Sequence, residues 1–397
     1  MRNHARDLRN DWGERLSEQA RQLHLLNDEK QRVAVNQIKT SQAERIQQLD
    51  THTNATVKKL EADFTENFNR INATRDETRQ AIAADWQNIV LPTLAALQQA
   101  AAEAKANSPA WDSPRWQTLQ LPDQFLAVAP FGSLTVDVEP FCEVSLAGKQ
   151  PSLPDTGPLA VPLQLAVPLQ LAVPQQASVL FETKSSGHEQ VIGALNNVIL
   201  RLLTNAPPGR LAFTIFDPVG LGQNFAGIMH LADFEERVIN SRIWTQPAQI
   251  EQRLADLNEH IEKVTQMYLR NEYETLAEYN AQAGEVAEPF HFLVAAHFPV
   301  NFSEDAARRL VSLASAGARC GIYTFVMVDL KQPMPHGFNL ADLEKVCTCL
   351  YWEKDRFLWE DNDFGEFPLT LSSSPEPARC TELLKQVGEE AVEQTLP

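Results

Sequence analysis

The chain has 397 residues, 44% of them hydrophobic, which allows two or three domains with a substantial core and excludes a wholly disordered tail. Its formal charge of -18 lies beyond residue 110, because residues 1–110 hold as many basic as acidic side chains; the later part therefore repels a phosphate backbone more than it attracts one. Cys142, Cys320, Cys347, Cys349 and Cys380 form no CxxC pair, have no histidine partners at zinc-ligand spacing and complete no disulfide framework.

The N-terminal string MRNHARDLRNDWGERL lacks the apolar core of a signal peptide, and no stretch reaches the ~18 apolar residues a membrane span needs. These features predict a cytoplasmic protein that meets membranes only through a partner. From Met1 to Ile89 there is no proline and a single glycine, Gly13, among residues that favour helix. Trp12, Leu16, Leu23 and Leu26, then Val57, Leu60, Phe64, Phe68, Ile71, Ile82, Trp86 and Ile89, form a narrow apolar stripe, so residues 1–108 are expected to be a coiled-coil or helical-hairpin arm. An unbroken helix of that kind would reach roughly 135 Å, whereas the run Asp50–Thr56 offers a place to fold back; both forms stay open.

Residues 111–177 change character. Trp111, Pro114 and Trp116 precede alternating runs from Phe125 and from Ser133, which predict a small β module. Within it a six-residue unit begins at Leu159, Leu165 and Leu171. Proline in each unit removes a backbone donor, so the repeat belongs on a sheet edge or in a polyproline-like connector.

From Ser178 strands and helices alternate, as in a parallel sheet with crossover helices. Strands are expected at 178–182, 211–216, 291–296 and 321–328, and helices at 188–204, 247–270 and 304–316, the last capped by Ser303 and stopped by Gly317. We assign 178–372 to one α/β domain and 373–397 to a C-terminal helix and linker.

In a nucleotide-binding unit the first strand runs into a glycine-rich turn whose backbone N–H groups hold phosphates. Laid on this turn, the Gly-x4-Gly-Lys-Ser/Thr template puts Glu182 in the first glycine slot and Gly187 in the second. His188 takes the lysine slot and Glu189 the hydroxyl slot. Only Gly187 matches. Two carboxylates oppose phosphate and a neutral imidazole does not replace an ammonium. Lys184, three residues before Gly187, is the one cation inside the loop. The strand that should end in metal-binding and water-activating acids ends instead in Ala296 and His297. Asp217 follows the strand 211–216 and has two readings, a crevice residue facing a ligand or the first residue of the turn Asp217-Pro-Val-Gly220. Asp361-Asn-Asp363 lacks the glycine and terminal glutamate of a calcium loop.

Several strings together resemble one family: Asn205-Ala-Pro-Pro-Gly-Arg210, Phe213 through Gly222, Arg242-Ile-Trp244, Tyr268 through Tyr273, Glu278-Tyr-Asn280, Ala287-Glu-Pro289, and Arg308 through Gly321. They are similar to the FtsK/SpoIIIE group of DNA-pumping ATPases, in particular to large members whose divergent first ATPase-like domain follows a coiled coil. The resemblance covers 178–345. It implies a RecA-like, P-loop NTPase-type sheet with flanking helices and an origin among ring-forming motors that hydrolyse ATP and move DNA or protein cargo. The residues that would define a working motor are the ones missing here. The resemblance further implies that an intact motor domain follows in a longer chain or belongs to a separate one.

The leading expectation is a pseudo-ATPase module that scaffolds or regulates an associated ATP-driven DNA translocase. Its partners would be the intact motor and further copies in an oligomer, DNA contact would be indirect or weak, and no cofactor is expected. One alternative keeps ATP and Mg²⁺, with Lys184 on the phosphates and Asp217 near the metal. Another is a structural coiled-coil adaptor.

Overall fold

The structure is a computed structural model that describes residues 2–125, 128–136, 159–166, 178–184, 186–234, 238, 242–270, 272–362 and 364–395. Most of the two later hexapeptide repeats, together with Cys142 and Asp363, lie outside the described residues. The chain divides into two compact units, Met1–Leu91 and Pro92–Pro397.

The first unit is helical. Helix α1, Arg2–Asp85, runs 84 residues, about 126 Å at ~1.5 Å per residue, and passes through Asp50–Thr56 without interruption. Thr40, Thr51 and Thr56 return their hydroxyls to carbonyls four residues back, which satisfies these poor helix formers inside the ladder. A π-helical turn, Trp86–Val90, follows, and the Leu91 N–H donates to the carbonyl of Trp86. Proline at 92, which has no N–H and crowds the carbonyl four residues back, gives the physical reason for that widened turn.

In the second unit α2 (Leu91–Asn107) leads to β1 (Val128–Val136) and β2 (Leu159–Ala166), then β3 (Ser178–Thr183), α3 (His188–Thr204) and β4 (Leu211–Phe216). There follow α4 (Pro247–Lys263), α5 (Leu276–Ala283), β5 (Phe290–Phe298), α6 (Glu304–Ala316) and β6 (Ile322–Asp329). The chain closes with α7 (Ala341–Glu344), β7 (Cys347–Glu353), β8 (Arg356–Trp359), β9 (Leu369–Leu371) and α8 (Pro377–Thr395).

The nine strands among the described residues join one sheet in the order β2-β1-β9-β8-β7-β3-β6-β5-β4. The run β7-β3-β6-β5-β4 is parallel throughout, with the first of these strands in the chain seated between the last and the fourth. This is the RecA-like order of a P-loop NTPase-type domain. The antiparallel strands extend it on the β7 side, and β2, with Pro162, sits on the outer edge where a missing donor is tolerated.

Each parallel strand is covered on both faces, which explains its unbroken apolar sequence. Phe292, Val294 and Ala296 of β5 pack into one core with α3 and α8; Leu293 and Ala295 pack into the other with α4 and α6. Ser303 caps α6 by accepting from the Ala306 N–H at 3.1 Å. The segment before β1 is pinned to α3: the Trp111 indole donates to Asn197 at 2.8 Å, and the Arg201 guanidinium lies 3.6 Å from the centre of the Trp111 ring. Helix α8 is part of the fold, with Leu383, Leu384 and Val387 buried.

Candidate functional site

Ligands of such sheets bind beyond the carboxyl ends of the strands, where the first strand is flanked by partners whose connections diverge. Here that crevice is bordered by Thr183 of β3, Asp217 after β4, His297 of β5, Asp329 of β6 and Trp352 of β7.

The β3–α3 turn ends at Gly187, whose φ of +88° is left-handed. A Cβ at this glycine would stand 2.8 Å from the Trp352 ring, so the indole already lies against the start of α3. Glu189 occupies the first turn of α3, where it complements the helix dipole that would otherwise favour a phosphate.

The residues in the lysine and water-activating slots meet. The rings of His188 and His297 have centroids 5.7 Å apart, tilted by 41°. His188 Nε2 lies 4.0 Å from Asp329, and His297 Nε2 lies 3.9 Å from Asp217 and 3.3 Å from the Asn224 amide. Strand β5 slips register against β6 between Ala295 and Phe298, and His297 takes a positive φ of 59°. The irregularity turns the His297 ring toward His188, whereas Ala296 packs into the core with α3. Burial pushes the His297 imidazole below its usual range against the pull of Asp217. The nearby His188 ring adds to that depression of His297, since like charges so close repel.

Asp217 is fully buried. It accepts hydrogen bonds from the N–H groups of Gly220, Gly222 and Asn224 at 3.0, 3.1 and 3.2 Å, and from the Asn224 amide at 3.0 Å. Its lone pairs are committed to the turn, which is the second of its two sequence readings.

Lys184 lines a separate open cleft of about 540 Å³ on the β7 side, with Glu182, Trp352, Trp359 and Glu360 among its walls and Asp217 not among them. Burial, with Glu344 and Glu360 nearby, raises the Glu182 carboxyl to about 7, and Lys184 opposes the shift. Donor atoms of Glu182, Cys349 and Glu360 lie within 4.8 Å of one another, the one group among the described residues with metal-ligand chemistry. Burial pushes the Cys349 thiol up to about 12, so at neutral pH it carries a proton that a bound metal would have to displace.

Thus the geometry joins His188, His297 and Asp217 in one network and sets Glu182 and Lys184 in another, with Gly187 and Glu189 at the helix start. Sequence reasoning missed Asn224, Asp329 and Trp352. Asp329 carried the same signal as Asp217, a carboxylate at the carboxyl end of a parallel strand; Asn224 carried none.

No family model and no curated protein matches the chain. Among solved structures it is similar to ATPases 2 and 3 of EssC from Geobacillus thermodenitrificans, at 16% identity and a TM-score of 0.48, over 70% of this chain and 52% of that one. It is also similar to the cytoplasmic domain of the type VII secretion ATPase EccC from Thermomonospora curvata, at 14% identity and a TM-score of 0.45, over 71% of this chain and 32% of that one. The pCW3 conjugation coupling protein TcpA, in its monomer form with ATPγS, aligns at 13% identity and a TM-score of 0.40, over 67% of this chain and 74% of that one. The chain spans about half of the first of these and a third of the second. No helix among the described residues is long and apolar enough to cross a membrane.

Proposed function

We propose that the chain is a non-catalytic, FtsK/SpoIIIE-like pseudo-ATPase module that scaffolds or regulates an associated ATP-driven translocase. One observation carries the reading: where phosphates and attacking water would be held, the crevice contains the His188–His297 ring pair, 5.7 Å apart, with His297 held by the Asn224 amide at 3.3 Å. The Glu189 carboxylate in the first turn of α3 reinforces it, since it opposes a triphosphate there. The parallel sheet keeps its strand order, which supports a role through contact with neighbouring domains rather than through chemistry. Direct DNA binding has little support from the charge, because the whole excess of -18 resides beyond residue 110.

Isothermal titration of MgATP into the purified chain is expected to give no heat attributable to binding at micromolar concentrations. Binding with low-micromolar affinity would overturn the reading. A second reading has one observation in its favour, the cleft of about 540 Å³ in which Lys184 meets aromatic walls. It requires nucleotide binding that Lys184→Ala abolishes.

A further inference from the structure

Helix α1 is exposed along its length, and among its described residues the ion pairs are Arg15–Asp11 and Arg75–Asp76. A helix this polar and this long is not held by its own side-chain pairs; it needs a partner for its apolar positions. Those positions follow a period that heptads do not describe. Val35, Ile46, Val57 and Phe68 recur every eleventh residue, and so do Ile38, Leu49, Leu60, Ile71 and Ile82. A third column, Gln42, Thr53, Phe64 and Arg75, lies between them on the helix surface. Every Val, Ile, Leu and Phe from 35 to 82 falls in these columns, and their exposures run from 40% at Ile82 to 70% at Phe64.

Eleven residues over three turns is ~3.67 per turn, slightly looser than the ~3.6 of a straight helix, and a sustained repeat of this kind drives a right-handed supercoil. We infer that residues 35–82 pair with the same segment of a second copy of this chain, parallel and in register, as a right-handed two-stranded coil. Three features select a second copy. The segment holds seven basic and seven acidic side chains, so two copies meet without net repulsion. In register, each column meets itself, which brings the aromatic residues Phe64 and Phe68, already stacked at 6.0 Å within one helix, against their equivalents, and sets Arg75, paired with Asp76 at 3.2 Å, opposite Arg75. Ten half-exposed apolar side chains per helix offer on the order of 800 Å² per partner, the size of a specific interface.

Sedimentation equilibrium of the full chain at micromolar concentration is expected to give the mass of two copies. Leu60→Asp, on the stripe, should return the mass to one copy, and Ala55→Asp, on the opposite face, should leave two. Under mild oxidation Thr53→Cys and Gln42→Cys should each give a covalent dimer absent from the unsubstituted chain, whereas Thr56→Cys, which follows residue 42 by two heptads, should not. A single-copy mass for the unsubstituted chain, a dimer indifferent to Leu60→Asp, or equal crosslinking at 53 and 56 would overturn the inference.

Discussion

Glu182→Gln isolates the electrostatics at the carboxyl end of β3. Glu182 titrates at about 7 instead of 4.5 because it is partly buried beside Glu344 and Glu360. An acid whose pKa is raised on folding binds more protons when folded between those two values. Its contribution is therefore fully present below 4.5 and is lost as pH rises through 7. The whole difference corresponds to about 3 kcal/mol at ~1.36 kcal/mol per pH unit, and because the side chain is partly open to water about half of that survives, ~1.5 kcal/mol. Glutamine keeps the shape and the capacity to hydrogen bond with Glu344 but carries no charge. Urea unfolding followed by circular dichroism should show the variant more stable than the native chain by ~1.5 kcal/mol at pH 8 and within ~0.5 kcal/mol of it at pH 5. An equal difference at both pH values, or a native chain that gains stability relative to the variant above pH 7, would refute the reasoning.

Asp217→Ala leaves the N–H groups of Gly220, Gly222 and Asn224 without their acceptor, and urea unfolding should register a loss of ~3 kcal/mol or more. Gly187→Ala combines a left-handed backbone with a methyl 2.8 Å from Trp352, so a loss of ~1–3 kcal/mol is expected, and pairing it with Trp352→Ala in a double-mutant cycle should yield a non-additive term; strict additivity would place the indole elsewhere. Desolvation beside His260 lowers His291 to about 3, so the unfolded chain binds the extra proton first and stability should fall as pH drops from 6.5 toward 3. That slope, read from denaturant midpoints, should flatten in His291→Phe.

The strands that alternate with helices after Ser178 were legible because their apolar runs and flanking caps are local signals. Ser303 capping α6 and Asp217 closing its own turn are decided within a few residues. The hairpin of β7 and β8 was not legible: Lys354 and Asp355 both take positive φ, a turn ordinarily announced by Asn-Gly or Asp-Gly. The alternation between 111 and 177 indicated strands and placed the prolines on an edge, but that β1 would pair with β9, more than 200 residues later, has no local trace.

The same division holds at the crevice. Sequence alone determined which residues stand in the turn after β3 and at the end of β5, since each place is set by neighbouring residues in the chain. It also determined the helical character of the arm through the absence of proline and the scarcity of glycine. Only the tertiary structure decided which of these residues meet. His188 and His297 are more than 100 residues apart and meet because β6 separates β3 from β5 by one strand width and the irregularity at Ala295–Phe298 turns one ring toward the other. Trp352 reaches Gly187 for a related reason: β7 pairs directly with β3 in a register set by the whole sheet, which no neighbouring residue encodes.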